Sequence, residues 1–360
     1  MYTALLIYLI IASSMFTCLL NRKIQLANMN FVIKKSYLFT IIAIIPLVYA
    51  FASRSLMVGT DTYSIYYQIY YMGYVINHWS STLYEGLFIW IFKVLGQLGQ
   101  SFSFILLTLS LFICFVFINY FFKNNKKYNT IISVLMFFIW IYAPSINILR
   151  QILAVTVSFL AIIFLEQRRY IVGIILLIAS MFIHMTAVIM IVYLLYFLCK
   201  ENNELTKKLP IFSLIISLFL LMAFNLVIKI PFLSKFAASV NDFSFSTVNY
   251  KFFLFPLLVL PLIIINWKKI MNLDSFNYLH LCGYLLIFPA ILSSGYFVFS
   301  FRLMYFFIPS EIIIVSQIGK CYTGGRKILV DLYLIVVTIC TFYLIYYVLK
   351  VDGITPFSFS

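Results

Sequence analysis

The chain has 360 residues, of which 64% are hydrophobic and only 10% are charged, and its mean hydropathy is +1.08. Because soluble domains carry about a quarter charged residues, this composition excludes a water-soluble globular fold. The formal charge of +15 does not indicate nucleic acid as a partner, since Lys and Arg accumulate in the cytoplasmic loops of membrane proteins.

Apolar runs recur along the chain from Tyr2 almost to Lys350. A helix needs about 20 mostly apolar residues to cross roughly 30 Å of hydrocarbon, whereas membrane barrel strands are about 10 residues long and alternate polar with apolar side chains. The runs here are continuous, so they predict an all-α, polytopic transmembrane fold. We expect a single integral membrane domain over residues 1–360, surrounded by membrane lipids.

Six basic clusters predict the topology. They contain 17 of the 25 Lys and Arg residues, namely Arg22, Lys23, Lys34 and Lys35; Lys123, Lys126 and Lys127; Arg168 and Arg169; Lys200, Lys207 and Lys208; Lys268 and Lys269; and Lys320, Arg326 and Lys327. Placing all six on the cytoplasmic side gives about twelve crossings with both termini outside. The predicted crossings are residues 2–20, 37–52, 101–122, 129–144, 150–165, 170–184, 185–199, 210–228, 251–266, 277–292, 302–319 and 328–349.

The apolar segment 84–99 cannot cross the membrane without inverting everything downstream. It is therefore interpreted as a re-entrant or interfacial helix on the outer side. Two outer loops, 53–83 and 229–250, are long and rich in Tyr, Phe, Ser and Asn. Such side chains can stack on a sugar and hydrogen-bond to it, and the alternative for any single Tyr is an aromatic belt at the membrane interface.

Three arginines, Arg54, Arg150 and Arg302, lie at the outer ends of predicted helices, where the positive-inside preference works against basic residues. Arg presents a rigid, permanently charged fork that matches phosphate oxygens two at a time. The alternative for each one is snorkelling to the interface. Because two acids, Asp61 and Glu85, are predicted on the same side, we favour an outward-facing site for a phosphorylated ligand.

His184 is a further candidate because of the segment lengths on either side of it. Fifteen residues separate it from Arg169 and fifteen from Cys199, and each segment rises only about 22 Å as a helix. Since neither spans roughly 30 Å, His184 is predicted to lie recessed below the outer surface. A structural histidine is the alternative, and neighbouring arginines and carboxylates favour a functional one.

Glu311 lies nine residues after Arg302, which is about 13 Å deeper if both are on one helix. An acid near mid-bilayer is costly, so Glu311 is either a functional residue or a protonated or Arg-paired packing contact.

Several catalytic signatures are absent from the sequence. It has no GxxxxGK[ST], DxD, HExxH or GxSxG motif and no Cys/His cluster with metal spacing, so ATP-driven transport, metal-dependent nucleotide-sugar chemistry and serine hydrolysis are disfavoured. We expect no metal and no cofactor. Arginines and acids suit transfer from a donor that already carries a good leaving group. If the donor is a lipid diphosphate, arginines can stabilise the departing diphosphate while a carboxylate or imidazole deprotonates the attacking hydroxyl.

A series of short motifs is recognisable by its order. It consists of Arg54, Gly59-Thr60-Asp61-Thr62, Tyr66, Tyr84-Glu85-Gly86, Leu149-Arg150-Gln151-Ile152-Leu153-Ala154, Phe182-Ile183-His184-Met185-Thr186-Ala187 and Arg302 before Tyr305-Phe306. This order resembles the EpsG/Wzy-type family of bacterial polysaccharide polymerases over about residues 50–310. The chain lacks the two large arginine-rich periplasmic loops of the better-known O-antigen polymerases, so the groups that hold the acceptor stay open.

The resemblance implies a multi-pass glycosyltransferase of the bacterial inner membrane with a GT-C-like architecture. Such an enzyme polymerises undecaprenyl-diphosphate-linked oligosaccharide repeat units on the periplasmic face, and a chain-length regulator protein is a candidate partner. By this resemblance Arg54, Arg150 and Arg302 bind the diphosphate. The general base and sugar-positioning groups are Asp61, Glu85 and His184, and further candidates are Gln151, Tyr66 and Glu311.

Two other activities remain open on the sequence alone. A lipid-linked oligosaccharide flippase or another transporter also suits twelve crossings and a central acid, but it would need ionisable residues along the whole pathway rather than at one face. An O-antigen ligase, or another outward-facing transferase, needs the same diphosphate clamp and base and differs only in its acceptor.

Overall fold

The computed structural model describes residues 1–20, 35–75, 85–199, 203–222, 244–296, 298–355 and 358. Every regular element within these residues is a helix, which confirms the predicted all-α class. Some predicted features lie outside the described residues: the basic residues Arg22, Lys23 and Lys34, Lys200, Tyr84 of the motif series, and outer-loop residues 76–83 and 229–243.

The described residues form two compact units, Met1–Ala187 with Asp331–Ser360, and Val188–Val330. The first contains α1 Tyr2–Leu20, α2 Lys35–Ala52, α3 Gln68–Tyr70, α4 Gly86–Gly99, α5 Phe102–Lys123, α6 Thr130–Phe137, α7 Ala143–Ser145, α8 Leu149–Glu166 and α9 Tyr170–Ile183. The second contains α10 Ile191–Cys199, α11 Asn203–Met222, α12 Leu254–Leu273, α13 Asn277–Leu292 and α14 Ile308–Ile318. Helix α15, Gly324–Phe342, starts in the second unit and belongs mostly to the first.

Tighter and wider turns extend several of these helices. The π-helical turns are Thr62–Tyr67, Tyr71–Val75, Phe138–Tyr142 and Tyr343–Val348, and the 3₁₀ turns are Met185–Met190, Phe245–Thr247, Tyr250–Phe253, Ser293–Gly295, Val298–Phe306, Gly319–Cys321 and Val351–Gly353. The sequence-predicted outer loop 53–83 therefore contains a helical stretch, residues 62–75. Helix α4 occupies the segment for which the sequence predicts a re-entrant or interfacial helix.

Five described helices are long and apolar enough to cross a membrane, namely Phe102–Lys123, Leu149–Glu166, Tyr250–Leu273, Asn277–Gly295 and Gly324–Val348. A sixth candidate is the bent pair Ser300–Phe306 and Ile308–Cys321. Shorter apolar helices occupy other predicted crossings, namely Tyr2–Thr17, Tyr37–Ala52, Thr130–Ser145, Tyr170–Ile183 and Met185–Cys199. The chain is thus an all-helical protein built to lie in a membrane.

The bent pair corrects one sequence expectation. Arg302 and Glu311 do not lie on one straight helix, because the chain turns by 54° between Phe306 and Ile308. Pro309 lies in the first turn of α14, where its missing N–H leaves no helical hydrogen bond unmade, but it could not continue a helix from the preceding turn.

The centre of the first unit is the helical segment 130–145, whose residues are buried on nearly all sides. Neighbouring helices pack against it through aromatic side chains, and the rings of Phe117 and Phe137 stack with centroids 5.3 Å apart. A helix that is apolar all round lies inside a bundle. The segment ends with Pro144 and Ser145. The loop 146–148 that follows is therefore anchored to a buried segment, and it leads directly into α8.

A polar group lies inside the second unit where α13 meets α14. The Tyr193 hydroxyl is 2.7 Å from the Ser310 hydroxyl, and His280 Nδ1 is 3.2 Å from the same oxygen. The glycine opposite, Gly283, permits this approach, because a Cβ there would overlap the Tyr193 hydroxyl and lie 2.6 Å from Ser310 Cβ. Burying a hydroxyl without a hydrogen-bond partner costs free energy, so the fold is stable only if these groups stay paired.

We expect Gly283→Ala to destabilise the protein, by about 1 to 3 kcal/mol, because the added methyl overpacks the α13–α14 contact and separates Tyr193 from Ser310. The measurement is thermal unfolding in detergent. The matched control is Gly325→Ala near the start of α15, where nothing lies within 4 Å of the new Cβ. Equal stability of the two variants would contradict this account of the α13–α14 packing.

Candidate functional site

Glu85 joins three segments of the first unit that are distant in sequence. Its Oε2 accepts a hydrogen bond from Arg150 Nη1 at 2.7 Å, and its Oε1 lies 3.2 Å from His184 Nδ1. The Met185 backbone amide also donates to Oε1, at 3.1 Å. The three side chains are 19–22% exposed. One carboxylate therefore links a cation and an imidazole in a half-buried position that water can still reach.

Local structure explains why these groups meet. Glu85 has extended backbone immediately before α4, and Arg150 is the second residue of α8, directly after the buried loop. Helix α9 ends at His184, whose backbone is extended with φ −152° and ψ 115°. Because the helix stops there, the imidazole and the next amide both face Glu85. We name Glu85, Arg150 and His184 the ionic cluster.

The neighbours of Glu85 in the ionic cluster lower the pKa of its carboxyl. Burial raises the pKa of the Glu85 carboxyl, but the His184 hydrogen bond, the Arg150 charge and the Met185 amide outweigh it and lower that pKa to about 2. Hydrogen bonds to the ionised form and a nearby cation are the two effects that depress a carboxyl pKa. Glu85 is thus an anion throughout the neutral range.

Arg54 lies in a different environment from the one its predicted role suggests. Only 2% of it is exposed, and its guanidinium donates to the carbonyls of Phe51 at 3.1 Å and Ile146 at 3.2 Å. It also lies 3.4 Å from the Thr62 hydroxyl and 4.0 Å above the Phe51 ring. These contacts tie the segment after α2 to the loop that precedes α8.

Gly59 permits the same close approach. Its φ is +84°, and a Cβ there would lie 2.8 Å from the Ile146 carbonyl oxygen, so both the backbone angle and the space require glycine. Next to it, Asn147 Oδ1 accepts from the Thr60 hydroxyl at 2.9 Å and from the Asp61 amide at 2.8 Å. Asp61 is thereby held half-buried at the start of the helical stretch 62–75.

Asn147 is a site residue that the sequence argument missed. It is 1% exposed, and it connects the Asp61 segment to the chain three residues before Arg150. A signal was present, since Asn147 is a polar residue between an apolar helix ending at Pro144 and the candidate Arg150. Amides in such positions often bond to turns.

The other candidates divide between the two units. Tyr66 is buried, and its hydroxyl accepts from the Arg150 amide at 3.4 Å. Gln151 is buried in the first turn of α8. Arg302 is half-buried in the turn Val298–Phe306 and Glu311 is fully buried in α14. Arg302 and Glu311 belong to the second unit.

The sequence model of the EpsG family matches residues 36–359. The chain belongs to the EpsG family. No curated protein and no solved structure matches it. The family is the Wzy/EpsG type, which confirms the resemblance found in the motif order and makes the chain a membrane protein of the polysaccharide polymerase type.

In this EpsG-family protein, the ionic cluster determines which ring nitrogen of neutral His184 carries the proton. An ionised carboxylate can only accept hydrogen bonds, so the contact with Glu85 places a proton on Nδ1. The basic lone pair of the neutral ring is then on Nε2. A carboxylate that fixes the tautomer and orientation of a histidine in this way prepares it for proton transfer.

We expect Glu85→Gln to remove a pH-dependent part of the stability. The folded-state pKa of Glu85 is below the usual value of 4.5, so the carboxylate stabilises the fold above about pH 4.5, and this contribution disappears as the pH falls towards 2. The difference is at most about 3 kcal/mol. Thermal unfolding in detergent between pH 7 and pH 3 should show the gap between wild type and variant closing with acidification. A constant gap would contradict the assignment.

Proposed function

We propose that this EpsG-family protein is a polysaccharide polymerase of the bacterial inner membrane. It transfers a growing glycan from undecaprenyl diphosphate onto the next lipid-linked repeat unit at the periplasmic face. The observation that carries the proposal is the ionic cluster, which combines a cation, a carboxylate and an imidazole in a half-buried position. The GT-C-like arrangement and the twelve crossings, with both termini outside, belong to the same proposal.

The proposed reaction needs one proton transfer and one departing anion. The acceptor hydroxyl, at the non-reducing end of the lipid-linked unit, attacks the anomeric carbon of the donor glycan. The bond from that carbon to the diphosphate oxygen breaks, and the lipid diphosphate leaves with the bonding electrons. His184 Nε2 takes the hydroxyl proton, and Glu85 stabilises the imidazolium that forms.

Two roles differ from those expected from the sequence alone. A carboxyl whose pKa is about 2 is a weak base, so Glu85 is better suited to orient His184 than to deprotonate an acceptor. Arg54 is enclosed by backbone carbonyls, which suits a positioning residue that holds the Asp61 segment in place. Asp61 then orients a sugar hydroxyl or serves as an alternative base.

Arg150 is the arginine whose position best suits the departing diphosphate. Its guanidinium is 22% exposed on the side chain, with Nη1 bound to Glu85, and arginine can present several N–H groups at once to two anions. Such a group neutralises charge as it develops on the leaving oxygen. Arg302 lies in the second unit, and its role as a diphosphate ligand stays a prediction from the sequence.

We expect Arg150→Ala to lower polymer synthesis by about 100-fold or more, because the departing diphosphate loses its counter-charge. In cells, the glycan should be capped with a single repeat unit. The quantitative test uses purified protein in detergent with lipid-linked repeat unit, where polymer made without sealed compartments excludes transport as the activity. The matched control is Arg169→Ala, an exposed arginine at the start of α9, which should retain polymer length. Long polymer made by Arg150→Ala would contradict the role of Arg150 in binding the diphosphate.

The pH dependence of the rate distinguishes His184 from Asp61 as the base. With His184 as the base, the wild-type rate rises with pH as the imidazole loses its proton. We expect His184→Ala to lose this limb and to lower kcat by about 100-fold or more. Asp61→Asn should lower activity while keeping the limb. The opposite pattern, with the limb lost only in Asp61→Asn, would make Asp61 the base.

A further inference from the structure

Three tyrosines form a row of rings on the helical stretch 62–75. Tyr63, Tyr67 and Tyr71 recur every four residues, so they lie on one face of the helix. The first two rings are stacked with centroids 6.0 Å apart and an interplanar angle of 14°, and the second two are 6.3 Å apart at 26°. Tyr67 also meets Phe102 edge to face at 5.5 Å. We name this row the tyrosine ladder.

The first and last rings of the tyrosine ladder are exposed and Tyr67 between them is half-buried, whereas the opposite face of the same helix is buried. Tyr63 is 48% and Tyr71 is 40% exposed, while Tyr66 on the other side is 3% exposed. Ser64 and Gln68 are exposed beside the rings. Met72 is also exposed at the far end, but over residues 63–68 the surface combines flat rings with groups that form hydrogen bonds, which a purely lipid-facing surface would lack.

The same helical stretch carries part of the candidate site. It begins directly after Asp61, and the Tyr66 hydroxyl accepts from the Arg150 amide. From Tyr63 to Tyr71 an α-helix would rise about 12 Å. The ladder, which begins at the Asp61 end, is therefore longer than one sugar ring. A chain bound at Asp61 and the ionic cluster could continue along it.

We propose that the tyrosine ladder is a binding track for carbohydrate, which holds the glycan chain next to the site of transfer. This inference rests on the proposed function. A pyranose has C–H bonds on one face, which the electron-rich face of a tyrosine attracts, and hydroxyls around its edge. The phenol hydroxyls and the amide of Gln68 are hydrogen-bond donors and acceptors for these sugar hydroxyls. Ser64 donates to the Thr60 carbonyl, so its oxygen acts as an acceptor.

The chain offers a matched control pair. Tyr343 and Tyr347 also recur after four residues, with stacked rings 5.0 Å apart and exposed fractions of 41% and 37%. They lie in the apolar segment Gly324–Val348, next to Val348 and Leu349, which are also exposed and apolar. The pair thus has the same ring chemistry and the same four-residue spacing, with apolar residues following it in the chain and the Thr3 hydroxyl 3.5 Å from the Tyr343 hydroxyl.

The experiment compares Tyr63→Ala/Tyr71→Ala with Tyr343→Ala/Tyr347→Ala, both in detergent. The probe is the repeat-unit oligosaccharide, released by mild acid from the lipid-linked glycan of the expressing strain, and its binding is measured by saturation-transfer NMR. We expect the ladder variant to bind about tenfold more weakly and to make shorter polymer. Tyr63→Phe/Tyr71→Phe should retain most of the binding, because the rings remain.

Each outcome decides between the track and an aromatic belt at the membrane interface. Unchanged oligosaccharide binding and polymer length in the ladder variant would overturn the track, as would equal losses in the control pair. A wild-type protein that binds the oligosaccharide through the ladder but makes no polymer would overturn the proposed function and leave the track standing. Thermal unfolding of both variants verifies that each is folded.

Discussion

The contact between Glu85 and Arg150 is the interaction on which the candidate site depends. A carboxylate that is 22% exposed loses much of its hydration, and it remains charged because a guanidinium and an imidazole compensate for that loss. The pair spans 65 residues and the contact with His184 spans 99. Removing one partner leaves the other charge without compensation, which costs more than the pair contributes. The cluster therefore works as one unit, and the effects of single substitutions within it will not add.

A second layer of contacts holds the cluster in place. The loop 146–148 leaves the buried segment 130–145, and it accepts hydrogen bonds from Arg54 on one side and from the Asp61 segment through Asn147 on the other. Arg150 follows directly, so the same loop orients Asp61 and Arg150. The buried guanidinium of Arg54 is held by the carbonyls of Phe51 and Ile146, which suits the positioning role proposed for it.

The helical stretch 62–75 connects the candidate site to the proposed glycan track. Its buried side carries Tyr66, which contacts Arg150, and its exposed side carries the tyrosine ladder. In a protein with only 10% charged residues, the proposed binding of a sugar polymer relies on aromatic rings, hydroxyls and amides. Such groups stay neutral, so they cost less to place near a membrane than charges do.

The sequence alone determined the all-helical membrane class, because hydrocarbon requires long apolar runs whose backbone bonds are satisfied within each helix. It also indicated the family through motif order, and it drew attention to Glu85, Arg150 and His184 because charges are rare in this chain. Tertiary structure decided which of these groups touch, since contacts across 65 and 99 residues leave no local periodicity. It likewise decided the burial of Arg54, the role of Asn147 and the 54° bend that precedes α14. Hydropathy records how apolar a segment is, whereas the partners of a polar side chain depend on how the helices pack.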